Sequence, residues 1–348
     1  MKKIISVICV LALVMALFAG CGGEEAVVTV NGEAISPGEF EYFLLMAKSI
    51  IISAGGEDTR QYWETTEIEG KNAGDVAKET ALKNAIELTL FAQKAVELGA
   101  DNSEEIKAKQ RENFIRQSFD GSEENYLARL EELGLNDDDV MKVIMKDYLT
   151  TEFYSKVDLD TPTDQQIREY FDKNYYRAKH ILIAYSNYMS DTSDGRAEAL
   201  AKIKDIKAEL DNGGDFDRLM LTYNEDQAMN DDEKGYVFTK GTIMPKQFEE
   251  AVESLEVGEI SDIVETDYGY HIIKRLDSSE VYDEFVTSPS NVMQSETETG
   301  RDEIASLVEY SQLQTMLEQW KEEADIKIND DLLASVSLVK EAEEKSAQ

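Results

Sequence analysis

The 348-residue chain carries 35 Lys and Arg against 72 Asp and Glu, a formal net charge of −37, with 42% hydrophobic and 9% aromatic residues. At about 150 residues per domain the length predicts roughly two domains, and the apolar content suffices for real cores. The acidic excess excludes a nucleic-acid binder and opposes lying flat on an anionic membrane. With only 2 Cys and 2 His, zinc fingers, iron–sulfur clusters and disulfide scaffolds are excluded as well.

Met1-Lys2-Lys3 is a basic start, Ile4 to Phe18 an apolar run, and Ala19-Gly20-Cys21-Gly22-Gly23 a small-residue exit. That order describes an export signal, shorter than the 18 or more apolar residues a spanning helix needs. Phe18-Ala19-Gly20-Cys21 resembles the bacterial lipobox, whose Cys is diacylated and becomes the first mature residue; Phe18 stands where Leu is usual. The resemblance implies a signal peptide over 1–20 and a lipid anchor on Cys21, on the extracytoplasmic face of the membrane. Cys9 leaves with the signal, so no disulfide within one mature chain is expected.

Val27-Val28-Thr29-Val30 reads as a short strand and Asn31-Gly32 as a hairpin turn. Ser36-Pro37-Gly38-Glu39 opens a helix that Gly55-Gly56 stops. Residues 57–74 read as a polar loop, although Tyr62 and Trp63 there, like Phe40 and Phe43, are expected in a core. A second helix covers about 75–98, with further helices opened by Ser103, Ser122, Asn136 and Thr163. Asn136-Asp137-Asp138-Asp139 lacks the Gly and distal Glu of a calcium loop and reads as a helix start.

At Tyr176 the pattern changes. His180-Ile181-Leu182-Ile183 is strand-like, a helix follows over about 194–211, and Asp215 starts a short one. After a polar stretch over 224–234 come a strand over 235–238, a helix over 246–254 and strands over 260–265 and 270–276. Residues 278–299 read as a linker, 301–324 as a helix and the rest as a polar tail. The fold class is therefore α+β: a small domain over 176–277, with about four antiparallel strands and helices, inserted in a mainly helical region. The helical parts are 21–175 and a C-terminal helix over 300–330 packing back on it, with the linker over 278–299 and the tail over 331–348.

Both histidines fall in the insert, in Ala178-Lys179-His180-Ile181-Leu182-Ile183 and Tyr268-Gly269-Tyr270-His271-Ile272-Ile273. Between them lie Asn224-Glu225-Asp226, Gly241-Thr242-Ile243-Met244, Phe248 and Gly258-Glu259-Ile260-Ser261. Taken singly, each histidine on an apolar strand reads as a core residue, and two His without nearby Cys do not make a zinc site. Taken together, the block resembles a parvulin-type peptidyl-prolyl cis/trans isomerase (PpiC-type rotamase) over about 177–277. The signal, helices and insert resemble in layout the extracytoplasmic foldase lipoproteins of the PrsA type.

The resemblance implies a catalytic set of His180, His271, Asp226 and Thr266, and a proline pocket of Met244, Phe248 and Val237, with no metal or cofactor. One departure is the family's Gly-Gly-Asp-Leu-Gly stretch, reduced here to Lys234-Gly235-Tyr236-Val237-Phe238. The other is the absence of Lys and Arg from 184–195, which argues against phosphorylated substrates. The expected partners are unfolded or partly folded exported polypeptides with X-Pro bonds; a homodimer through the helical region stays open. Two other readings share the anchor. One is a catalytically silent parvulin-like holdase, motivated by the short 234–238 segment. The other is a solute-binding lipoprotein, which would need a second α/β lobe.

Overall fold

The computed structural model describes residues 25–189, 195–231, 234–241, 244–290 and 298–339. The export segment with Cys9 and Cys21 lies outside the described residues, as do Thr242 and Ile243 of the motif, 291–297 of the linker and the tail from 340.

β1 (Val28–Val30) and β2 (Glu33–Ile35) form the expected hairpin. Its turn residues Asn31 and Gly32 have φ of 52° and 83°, a pair that Asn-Gly tolerates best. α1 (Pro37–Ser53) starts where the Ser36 hydroxyl accepts from the Glu39 amide. The stretch read as a loop holds instead α2 (Arg60–Thr65), β3 (Glu67–Ile68) and β4 (Lys71–Asn72). Thr59 caps α2, and Trp63 anchors it by burying its ring and donating its indole N–H to Asp58. α3 (Ala73–Glu97), α4 (Glu104–Ser118), α5 (Glu123–Leu133), α6 (Asp137–Lys156) and α7 (Asp164–Asn174) follow. Their caps are the side chains of Asn72, Ser103, Ser122, Asn136 and Thr163.

Then come β5 (Tyr175–Ala184), α8 (Arg196–Asp211), α9 (Phe216–Tyr223), α10 (Gln227–Asp231), β6 (Tyr236–Thr239), α11 (Lys246–Ser254), β7 (Val264–Thr266) and β8 (Gly269–Leu276). β7 is shorter than expected; Ile260 contributes only an isolated bridge to Lys274. The stretch read as a linker contains α12 (Tyr282–Phe285), because two of its aromatic rings pack on Phe171 at centroid distances of 5.2 and 5.3 Å. α13 (Gly300–Glu323), β9 (Ile326–Ile328) and α14 (Asp330–Ser335) complete the described chain. β9 is too short to show periodicity in sequence and exists by pairing with β1.

The chain divides into two units, one of Met1–Leu159 with Leu313–Gln348 and one of Asp160–Gln312. The first unit is built mostly of helices. Its core gathers Phe40, Phe43, Trp63, Leu90, Phe91, Phe153 and Leu317. The Trp320 ring meets Phe91 and Phe153 edge-on at 5.6 and 5.5 Å. The second unit centres on an antiparallel sheet of order β6-β5-β8-β7. On one face, Ile181, Ile183 and Ile272 pack with residues of α8 and α9. On the other face Ala178, Phe238 and Ile273 pack with Phe248 and Val252 of α11.

Phe153→Ala removes a ring that is 1% exposed and shared by the aromatic cluster of the first unit. We expect a loss of about 3–5 kcal/mol, read from the urea dependence of far-ultraviolet circular dichroism. A loss below about 1 kcal/mol would contradict this packing.

Candidate active site

The β5–β8 ladder sets the site. Leu182 lies opposite His271 and His180 opposite Ile273. Side chains alternate faces along a strand, so His180 and His271, diagonal neighbours, emerge on the same face. Their ring centroids are 5.2 Å apart at an interplanar angle of 58°. Phe248 reaches both from α11, meeting His180 at 5.4 Å and His271 at 5.6 Å, edge-on in each case. His180 is 4% exposed, His271 3% and Phe248 0%. Met244, half-buried, packs on the same cluster. Both Glu249 carboxylate oxygens accept from the Gly241 amide at 2.9 Å.

Asp226 stands at the rim. His180 Nε2 lies 3.0 Å from its Oδ2, and the Tyr236 hydroxyl donates to the same oxygen at 2.9 Å. Oδ1 accepts from the Ala228 amide at 3.1 Å, at the start of α10. The loop bearing Asp226 is fastened to β5, whose Ala184 amide donates to Glu225 Oε2 at 2.8 Å. The Leu182 amide donates to Asn224 Oδ1 at 2.7 Å, and the Glu225 amide to the Leu182 carbonyl at 2.9 Å. On the far side, Thr266 Oγ1 lies 2.8 Å from His271 Nε2 and accepts from the Tyr268 amide at 3.2 Å. The Gly-Glu-Ile-Ser segment runs beside β8, where the Ser261 hydroxyl accepts from the Ile273 amide at 2.9 Å.

The structure thus brings together His180, His271, Asp226, Thr266, Met244 and Phe248. It does not bring Val237 to them. Val237 alternates with Tyr236 and Phe238 along β6 and packs on the opposite face, with Ile167, Phe171 and Tyr175. The site-facing pair is Tyr236 and Phe238, which the period-2 rule applied to β6 would have identified. Cys21 lies outside the described residues.

Electrostatically the site is polarised. The His180 hydrogen bond, helped by that of Tyr236, pulls the Asp226 carboxyl down to about 2. An ionised carboxylate only accepts, so His180 Nε2 carries a hydrogen. Burial, then the neighbouring His180, pushes His271 down to about 3, so its imidazole is neutral near pH 7. The Nδ1 atoms of both rings are buried and without a hydrogen-bond partner. Among the described residues no group of three or more His, Cys, Asp or Glu could hold a metal ion. A cavity of about 720 Å³ in the first unit, lined by Glu25, Ser36, Lys107, Asp138, Asp139 and Lys142, is charged and unsuited to an apolar ring.

These shifts make the second unit acid-sensitive in a defined window. His271 binds its proton at about 3 in the folded chain against an ordinary 6.5, so its contribution is complete above pH 6.5 and is lost as pH falls toward 3. Asp226 adds to that loss between 3.8 and about 2. We expect His271→Gln to flatten the fall in unfolding free energy between pH 6.5 and 4 by up to about 1.4 kcal/mol per pH unit. Urea titrations followed by the NMR signals of β5 and β8 check this; an unchanged slope would contradict it.

Comparison with known proteins places the family. The model of the PPIC-type PPIASE domain family matches residues 165–279. Foldase protein PrsA 3 of Bacillus cereus is 31% identical over 241 residues, which cover 66% of this chain and 71% of that protein. Foldase protein PrsA of Clostridium tetani is 22% identical over 329 residues, 87% of this chain and 86% of that protein. The crystal structure of peptidylprolyl isomerase (PrsA) from Bacillus anthracis covers 71% of this chain and 99% of its own, at 22% identity and a TM-score of 0.30. The chain belongs to the PrsA foldase family and is a peptidyl-prolyl cis/trans isomerase of the parvulin class.

Proposed function

We propose that isomerisation takes place over the face shared by His180, His271, Phe248 and Met244, and that the chain performs it on exported proteins from a lipid anchor at Cys21. The observation that carries the site is the convergence of two imidazoles on one fully buried aromatic ring.

The reaction makes and breaks no covalent bond. Rotating an X-Pro amide in water meets a barrier of about 18–20 kcal/mol, set by the resonance that keeps it planar. Water bonded to the carbonyl oxygen favours that planar, polarised form. The half-buried Met244, backed by the buried Phe248, holds the proline ring by dispersion and removes that water while the preceding carbonyl swings. Lowering the barrier by about 4–7 kcal/mol gives roughly 10³–10⁵-fold acceleration. Asp226 fixes the ring of His180, and Thr266 that of His271. With Nε2–H of His180 given to Asp226, its Nδ1 is a bare acceptor when the ring is neutral. With Thr266 donating to His271 Nε2, the other Nδ1 carries the hydrogen.

Substrate class follows from the surrounding charges. Lys202 pairs with Glu225 at 2.8 Å, and Arg196 lies 2.5 Å from Glu265. Cations that could hold a phosphate near the end of β5 are thus committed to the chain's own carboxylates, which supports ordinary rather than phosphorylated X-Pro segments. The helical regions, over 21–175 and 300–330, are proposed as the part that holds clients, with 176–277 as the isomerase domain between them.

Two experiments test the proposal. In a proline-limited refolding reaction catalysed by the full chain, His180→Ala with His271→Ala should cut kcat/KM at least tenfold. Met244→Ala, half-buried and tolerated by the fold, should raise KM; unchanged kinetics in both variants would remove the site assignment. For the anchor, Cys21→Ser in cells should abolish incorporation of labelled palmitate and release the chain from the membrane fraction, since two acyl chains suffice for stable attachment. Equal labelling and sedimentation of both forms would exclude Cys21.

A further inference from the structure

We propose that Tyr236 is a positioning residue of the isomerase site, acting through Asp226 on the orientation of His180. The inference rests on the site assignment above and adds a residue to it.

Three features of the molecule lead here. First, Tyr236 and His180 Nε2 converge on one oxygen, Oδ2 of Asp226, at 2.9 and 3.0 Å. A carboxylate oxygen has two lone-pair directions in its plane, so two donors fill it and fix where each must stand. Second, the Tyr236 ring meets the imidazole of His180 edge-on at 5.9 Å and 81°, so the phenol limits the ring's tilt as well. Third, the scaffold aims the phenol. Tyr236 lies opposite Ala178 in the β5–β6 ladder, two residues before His180 on the same strand and face. The small Ala178 leaves room for the larger ring to lean toward Asp226.

The groups facing Asp226 are accounted for by element. They are His180 from β5, Tyr236 from β6 and the Ala228 and Met229 amides from α10, with His271 of β8 beyond His180. Of these, Tyr236 is the neutral side-chain donor, removable by one atom. Without its hydroxyl Oδ2 keeps His180 as its one side-chain donor, and the bond that sets the His180 tautomer is less tightly directed.

The test is Tyr236→Phe in the full chain, with Val237→Ala on the same strand but the opposite face as a control for general disturbance of β6. Two readouts are needed. In ¹⁵N-labelled protein the His180 Nε2 resonance of Tyr236→Phe should leave the protonated, pyrrole-type position of wild type for an averaged one, while Val237→Ala leaves it in place. In the refolding assay, Tyr236→Phe should lose about 3- to 10-fold in kcat with KM within twofold, and the acid limb of its pH profile should move to higher pH because Asp226 has lost a donor. An unmoved Nε2 resonance with wild-type kcat, or the same changes in Val237→Ala, would overturn the inference. Failure of the site assignment looks different: the two-histidine variant would then keep wild-type activity. The imidazole spectrum needs no turnover and decides the positioning role on its own.

Discussion

The antiparallel register between β5 and β8 is the constraint from which the site follows. With Leu182 opposite His271 and His180 opposite Ile273, two polar rings sit as diagonal neighbours on one face. A slip of one residue in either strand would send one imidazole to the face now filled by Ile181, Ile183 and Ile272. That face is held by residues of α8 and α9, so the register is fixed by burial. Gly269 closes the ladder opposite Ala184 with φ of 155°, and a Cβ there would fall on the Ile183 carbonyl. The close approach of β8 to β5 therefore needs glycine at this point.

Burial of two histidines is costly unless each has a fixed partner and stays neutral. This fold supplies the partners from loops at the edge of the sheet. Asp226 comes from the segment after α9 and Thr266 from the end of β7. The low pKa values of Asp226 and His271 express one arrangement, an ionised carboxylate at the rim and a neutral imidazole within. Such a site has no activated nucleophile. It suits a reaction in which a bond rotates, because its contribution is shape, dryness and fixed dipoles.

Much of this was legible in the chain. The helix starts could be read because Ser36, Ser103, Ser122, Asn136 and Thr163 each carry an oxygen that satisfies an orphan amide, a local requirement. The six site residues that converge were found by their motif contexts. What failed was non-local. β9 exists only through its partner β1, 300 residues away in round terms. α2 depends on a pocket for Trp63, and α12 on aromatic partners in α7. Val237 is implied only by the family resemblance, whereas strand alternation puts Tyr236 and Phe238 on the site face. The phenol's bond to Asp226 spans ten residues with a helix between, and no spacing rule signals it.

The central claim is spatial: a proline ring rests against Met244, which packs on the buried Phe248 beside the two imidazoles. Intermolecular nuclear Overhauser effects between the full chain and a short X-Pro peptide test it most directly. The account predicts contacts from the proline ring protons to the Met244 methyl. Contacts confined to the helical unit, or to residues of α8 and α9 on the other face of the sheet, would contradict it.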